Sequence, residues 1–337
     1  MQYRILGDTG ILVSEFCFGA MTFGGTGTWT HVGTTQQEEA TKLVGIAFDA
    51  GINFFDTANV YSTGISEQIL GKSLGSKRKD IILATKVRGK MGEGVNQIGL
   101  SRVHIMQQVD ESLKRLGTDY IDLYQIHGFD ALTPLEETLR ALDDLVHCGK
   151  VRYIGCSNLT AWQLMKSLWI SDKLGFNKFK SLQAHYSIAS RDLERELVPL
   201  LKDQNIGLMV WSPLAGGFLS GKYRRGKLPE AGSRRNDFDF PPINKEKAYD
   251  IIDTMDKIGN AHNASIAEVA LAWLLHQKVV TSVILGVKNE KQLQDNLKST
   301  ELVFAEDELK VLHEVSQLAP EYPGWMIDFM QRERVVH

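Results

Sequence analysis

Short apolar runs separated by longer segments of helical period recur about eight times along the chain, and this alternation restricts the fold more than any other feature. The runs are EFCFGA (15–20), INFFDTA (52–58), IILATKV (81–87), YIDLYQIH (120–127), VRYIGCSN (151–158), SLQAHYS (181–187), IGLMVWSP (206–213) and TSVILGV (281–287). Several are apolar on consecutive residues, as strands covered on both faces are. Between them, TQQEEATKLVGIAFDAG places Ala40, Leu43, Val44 and Ala47 on one face, and Thr35 with Glu38 has capping-box spacing. SRVHIMQQVDESLKRLG runs from Ser101 to Gly117 with Val103, Met106, Val109 and Leu113 in helical register. TPLEETLRALDDLVHCG carries Pro134 in its first turn and Gly149 at its end, the usual asymmetry of helix ends. Further helices are predicted at 160–174, 190–204, 245–262, 265–277, 289–299 and 306–317.

Such alternation leaves two α/β architectures, a closed (β/α)8 TIM barrel and an open doubly wound sheet. An open sheet that binds a dinucleotide carries a G-x-G-x-x-G turn after its first strand. The chain has no such turn, and the count of eight favours the barrel. A barrel can exceed about 250 residues as one unit, so residues 1–337 are expected to form a single barrel domain. YRILGDTGILV (3–13) reads as a β-hairpin turning at Gly7-Asp8-Thr9-Gly10, placed to cap the bottom of the barrel. Two irregular regions stand outside the repeat: residues 214–244, rich in glycine, proline and basic residues, and the tail 318–337. An irregular stretch of some thirty residues is either disordered or functional.

Hydrophobic residues make up 43% and charged residues 23%, the balance of a soluble globular protein. A net charge of −3 gives no footprint for nucleic acid or an anionic membrane, and no apolar run approaches the ~20 residues of a membrane helix. The start, MQYRILGDTG, has no apolar stretch behind a basic head, so no signal peptide is expected. Cys17, Cys148 and Cys156 form no C-x-x-C pair and fit reduced thiols in a cytoplasmic protein.

A barrel of this type works at the carboxyl ends of its strands. There the runs deliver Asp56, Lys86, His127, Ser157 with Asn158, Gln183 with His185, and Trp211 with Ser212; Tyr61 follows Asp56 on the same loop. Any one of these alone reads as a strand returning to water. Together they suit proton transfer to a carbonyl oxygen. A phenol with a pKa near 10 needs a positive neighbour to trade protons near neutrality, and Lys86 can supply that charge and lower the Tyr61 pKa. Asp56 can hold Lys86 charged and aimed, and His127 can orient the substrate oxygen. A hydride source must accompany them, because side chains carry none. No metal spacing occurs among the nine histidines. GGFLSGKY (216–223) satisfies G-x-x-x-x-G-K, but Tyr223 stands where a P-loop needs a hydroxyl for Mg²⁺.

NFFDTANVYSTGISEQILGKSL, GTDYIDLYQIH (117–127), GKVRYIGCSN (149–158), VWSPLAGGFLSGKY (210–223) and ILGVKNEKQLQDN (284–296) together resemble the signatures of the aldo-keto reductase superfamily, in order along the chain. The resemblance implies a (β/α)8 barrel that binds a nicotinamide dinucleotide without a Rossmann fold, and NADPH (NADP+) is the form expected from Lys288 with Arg234 in support. It implies a catalytic tetrad of Asp56, Tyr61, Lys86 and His127, with Tyr61 as general acid. Ser157, Asn158 and Gln183 would bind the nicotinamide carboxamide, Trp211 would stack on the ring, and Met21 would lie near cofactor and substrate. Ser212, Pro213, Leu214, Gly216 and Lys222 would line the pyrophosphate. Arg234, on a cofactor-clamping loop 214–244, would hold it or the adenosine, and Gly286, Lys288, Gln292 and Asn296 would hold the adenosine end. Two departures stand out: Ser62 follows the tetrad tyrosine where glycine is usual, and GVK occupies the adenosine segment, where Lys288 can still serve a 2′-phosphate.

The expected partner is a small-molecule carbonyl or alcohol; such proteins range from monomers to homo-oligomers. Substrate choice is expected in the loops around 23–34, 88–100 and 129–133 and in the tail, with Trp29 and Trp325 as walls. A second reading is a cofactor-sensing binding protein similar to potassium-channel beta subunits, which share the stacking Trp but tend to carry Asn at the position of His127.

Overall fold

The structure is a computed structural model that describes residues 1–26, 29, 30, 32–226, 235 and 238–332. Strands β1 (Tyr3–Ile5) and β2 (Leu12–Ser14) form an antiparallel hairpin. Eight parallel strands then close into a barrel: β3 (Phe16–Gly19), β4 (Phe54–Asp56), β5 (Ile82–Val87), β6 (Ile121–Ile126), β7 (Val151–Ser157), β8 (Ser181–His185), β9 (Gly207–Trp211) and β10 (Val280–Gly286), which pairs back to β3. The helices among the described residues include α1 (Gln37–Asp49), α2 (Ile65–Leu74), α3 (Arg102–Leu116), α4 (Leu135–His147), α5 (Ala161–Leu174), α6 (Leu197–Asp203), α7 (Lys245–His262), α8 (Ile266–Leu275), α9 (Glu290–Leu297), α10 (Glu306–Ser316) and α11 (Gly324–Gln331). This is the (β/α)8 TIM barrel with an amino-terminal hairpin that the alternation predicted.

The hairpin closes the bottom as expected. Leu6 and Val13 are fully buried and pack with Cys17, Phe54, Ala84, Leu123, Met209 and Ile284 in a plug inside the barrel. Arg4 anchors it by donating to the carbonyls of Val280 and Leu275 at 2.5 and 2.7 Å. Gly7 is required at the turn: its φ is +59°, and a Cβ there would lie 2.4 Å from the Lys180 carbonyl oxygen. A second, larger core fills the space between sheet and helices.

Side chains alternate across a strand, so one plug residue predicts the next inward position two residues on. The series Phe54–Asp56, Ala84–Lys86, Leu123–Gln125 and Met209–Trp211 each step from the apolar plug to a polar or aromatic group at the mouth. Polarity at the carboxyl end is therefore written into the same strands that build the core.

Four local expectations need correction. Thr35 does not cap α1, whose N-cap is Gln36; its backbone instead pairs with Thr22 and Gly24, which draws it out of the helix start. The predicted 190–204 helix is a 3-10 turn (Asp192–Glu194) followed by the short α6. Helix α2 was not anticipated, and α11 forms within a tail read as irregular. The opening of the 214–244 region is a 3-10 turn, Ala215–Ser220, consistent with the sequence argument against a P-loop. Among the described residues no helix is long and apolar enough to cross a membrane.

Candidate active site

Asp56 ends β4, Lys86 lies near the end of β5 and His127 follows β6, so adjacent parallel strands bring the three to one mouth. Lys86 is fully buried, and its Nζ donates to Asp56 Oδ2 at 2.5 Å, to the Thr57 carbonyl at 2.8 Å and to the Tyr61 hydroxyl at 3.3 Å. The other Asp56 oxygen accepts from Gln125 and Gln183, each at 3.0 Å. An ion pair taken out of water is favourable only when its remaining valences are met, and here both partners are held by extra hydrogen bonds.

Tyr61 reaches the cluster because the chain after it turns sharply. Ser62, Thr63 and Gly64 take φ values of 48°, 53° and 92°, a left-handed run that is costly for residues with a Cβ. Ser62 offsets that cost with contacts glycine cannot make: its Oγ donates to the Phe23 carbonyl at 3.0 Å and accepts from the Gly25 amide at 2.9 Å. The Tyr61 ring meets Trp29 edge-on at 5.1 Å and His127 edge-on at 5.6 Å.

The electrostatics differ from the sequence expectation in one respect. Burial of the phenol pushes its pKa above the usual 10; Lys86 opposes this but does not outweigh it. Lys86 is itself disfavoured by burial, yet Asp56 and Tyr61 together hold it above its ordinary value, hence charged. Burial pushes His127 down to about 3, with Lys86 and Arg88 adding to the effect, so the imidazole is neutral at physiological pH.

The other expected residues lie along the rim formed by β3 and β7–β10. Met21 is half-buried in the turn after β3. Ser157 is buried and its Oγ has no partner among the described residues. Asn158, at φ 56°, donates to the His127 carbonyl and accepts from the Trp211 indole at 3.0 Å. Gln183 is buried and engaged with Asp56 rather than open to the mouth through its amide nitrogen. Trp211 packs at 4.7 Å on His185 and lies parallel to Phe240 at 5.9 Å. Ser212, at φ 53°, accepts from the Gly216 amide; Pro213 is buried, Leu214 half-buried and Lys222 exposed. Gly216 has no room for a Cβ, which would lie 2.2 Å from the Phe240 carbonyl oxygen. Gly286 ends β10, and the backbone amide of the exposed Lys288 donates to Gln292 Oε1, with Asn296 one turn further along α9. Arg234 lies outside the described residues.

Unpartnered buried polar atoms at Ser157 Oγ and His185 Nε2, beside an indole at the rim, are a donor set that a carboxamide-bearing aromatic ring would satisfy. Sequence reasoning missed Gln125 and Thr57, which hold Asp56 and Lys86. A polar residue inside an otherwise apolar strand run was the available signal for Gln125.

A family model described as the aldo/keto reductase family matches residues 15–317. The chain belongs to the aldo/keto reductase family. It is 36% identical to an uncharacterized oxidoreductase of Bacillus subtilis, over 94% of this chain and 96% of the relative. It is 33% identical to versiconal hemiacetal acetate reductase of Aspergillus parasiticus, over 96% and 99%. It is also 36% identical to a probable voltage-gated potassium channel subunit beta of Oryza sativa, over 90% and 92%.

Proposed function

We propose that this aldo/keto reductase family member reduces aldehydes and ketones with NADPH, with Tyr61 as the general acid. The observation that carries the reading is the buried Lys86 amine, shared between Asp56 and the Tyr61 hydroxyl. Relatives named as reductase and oxidoreductase support it. Ser157, Asn158, Gln183, Trp211, Ser212, Lys222, Lys288, Gln292 and Asn296 would hold the dinucleotide, with Arg234 as a further clamp. Bound there, it supplies the hydride that no side chain can. Tyr61 donates its proton to the substrate oxygen as negative charge develops. Lys86 stabilises the phenolate left behind, and Asp56 keeps Lys86 charged and in place. His127, being neutral, offers a hydrogen bond to the same oxygen without competing as an acid.

Steady oxidation of NADPH by benzaldehyde tests the reading, and its pH dependence has a definite form. His127 titrates near 3 and Tyr61 above its ordinary value, so neither changes state between about pH 5 and pH 9. The ratio kcat/KM should be flat there as far as these two groups govern it. It should fall at higher pH as the phenol loses the proton it must donate. A break near pH 6.5 would assign the proton to His127. Tight NADPH binding with no turnover of any carbonyl would replace the enzyme reading with a cofactor-sensing role like that of a channel beta subunit.

Lys288 is our candidate for the 2′-phosphate of NADPH. Lys288→Ala should weaken NADPH binding about tenfold, the scale of one charge-assisted hydrogen bond, and leave NADH within about twofold. Equal weakening of both nucleotides removes that assignment.

A further inference from the structure

The residues proposed to hold the dinucleotide occupy one side of the mouth, at β3 and β7–β10. The opposite side is bounded by the ends of β4, β5 and β6, and one cation there has no task in the chemistry above. Arg88 follows β5 directly, half-buried, with φ 144°, a backbone conformation that residues with a Cβ rarely adopt. It is held from two sides: its carbonyl accepts from the Gly99 amide at 2.9 Å, and its Nε donates to the Phe129 carbonyl at 2.8 Å. That contact lies two residues past His127. Strain that the surroundings hold in place concentrates at functional sites.

The two terminal nitrogens of Arg88 have no hydrogen bond or ion pair among the described residues. Asp130 is the nearby acid, but its carboxylate is taken up by the Leu100 and Leu132 amides and the Thr133 hydroxyl. Lys90, the next cation along the chain, points to Glu93 and is exposed. Within the mouth Lys86 and Asp56 cancel, and His127 is neutral and feels Arg88 as a repelling charge. The Arg88 guanidinium feels the Asp130 charge but has no carboxylate in contact with its terminal nitrogens among the described residues, and the Phe129 and Trp162 rings meet in edge contact at 6.2 Å beside it.

We propose that Arg88 binds substrate, and that this chain prefers carbonyl compounds carrying a carboxylate, held by the Arg88 guanidinium while the carbonyl lies at Tyr61 and His127. The planar fork matches a carboxylate through two parallel hydrogen bonds, and a single unpaired charge suits a monoanion better than a phosphate. This assignment rests on the reductase reading and adds the substrate class to it.

The test compares 3- and 4-carboxybenzaldehyde with benzaldehyde and methyl 4-formylbenzoate at saturating NADPH. Wild type should favour at least one carboxylated isomer over both uncharged aldehydes by about tenfold or more in kcat/KM, mainly through KM. Arg88→Leu should erase that preference while benzaldehyde reduction stays within about twofold. Arg88→Lys should keep part of it, since the charge remains and the fork is lost. Because Arg88→Leu also cuts the tie to Phe129, the wild-type ratio and the lysine variant decide if the leucine variant does not fold. No preference in wild type overturns the proposal, and so does an equal loss on all four aldehydes in Arg88→Leu, which would mark a purely structural tie. Failure to reduce any of the four removes the reductase reading and this assignment with it; equal reduction of all four removes this assignment alone.

Discussion

Tyr61→Phe should lower kcat for carbonyl reduction by about 10²- to 10⁴-fold, the range general acid catalysis supplies, with NADPH affinity unchanged within about threefold. The substitution removes one hydroxyl and little else. The ring contacts Trp29 and His127 through its edges and faces, and these survive in phenylalanine. The left-handed turn that follows is fixed by Ser62 and its bonds to Phe23 and Gly25, not by the phenol. Lys86 loses its 3.3 Å contact but keeps Asp56 and Thr57. A folded variant with an empty acid position is therefore the expected product, and single-turnover rates with bound NADPH would separate lost chemistry from lost binding. If Tyr61→Phe kept more than about a tenth of the wild-type kcat, the proton must come from another group, and His127 or water would be the next candidate.

The convergence behind this prediction was legible because parallel strands end at the same face. Each apolar run mapped onto one barrel strand with ends displaced by a few residues at most, as with 52–58 against Phe54–Asp56. Consecutive apolar residues identify such strands because helices cover one face and the plug the other. Period two within a run then says which side chain enters the barrel. That rule reaches Lys86 from Ala84, and it would also have reached Gln125 from Leu123, where only the apolar character of the run was considered. The parts that were not legible depend on contacts between distant segments. Helix α2 begins behind a left-handed Gly64 with no Ser, Thr, Asp or Asn cap, and carries Gly71 in its middle. That glycine lowers helix propensity, yet it lets α2 approach α3, where a Cβ would lie 2.3 Å from the Leu116 carbonyl oxygen. Thr35 had the local signature of a cap, but a backbone pairing with Thr22 took priority.

The direction of the Tyr61 shift shows the same limit in electrostatics. A lysine beside a tyrosine favours phenolate, and that much follows from the residues alone. How deeply the ring lies below the rim does not, and burial turns out to be the larger influence. The consequence is a phenol that holds its proton through the neutral range, as the proposed general acid requires. Ser62 illustrates the converse: a departure from the usual glycine that looked minor in sequence carries two hydrogen bonds that hold the loop of Tyr61 against residues 23–25.

Lys86→Met should affect both chemistry and stability, and the two effects can be separated. Loss of a charge set beside the reacting phenol should cost about 10²- to 10³-fold in kcat, comparable to removing one preorganised electrostatic stabiliser elsewhere. NADPH binding should change only a few-fold, because Lys86 faces Asp56 and Tyr61 rather than the side of the mouth proposed to hold the dinucleotide; equal losses in turnover and binding would contradict its role. Stability should fall by about 3–5 kcal/mol in urea unfolding, because the substitution strands a carboxylate that is 3% exposed. Asp56 would keep Gln125 and Gln183 as donors, but neither supplies a counter-charge. Adding Asp56→Asn to Lys86→Met should restore most of that stability, since the neutral amide can still accept from both glutamines and leaves no charge unpaired. It should restore none of the activity. A double variant as unstable as the single one would mean that Lys86 acts through its packed aliphatic stem, whereas recovery of stability without turnover would separate the charge that supports catalysis from the pairing that makes it tolerable in the barrel.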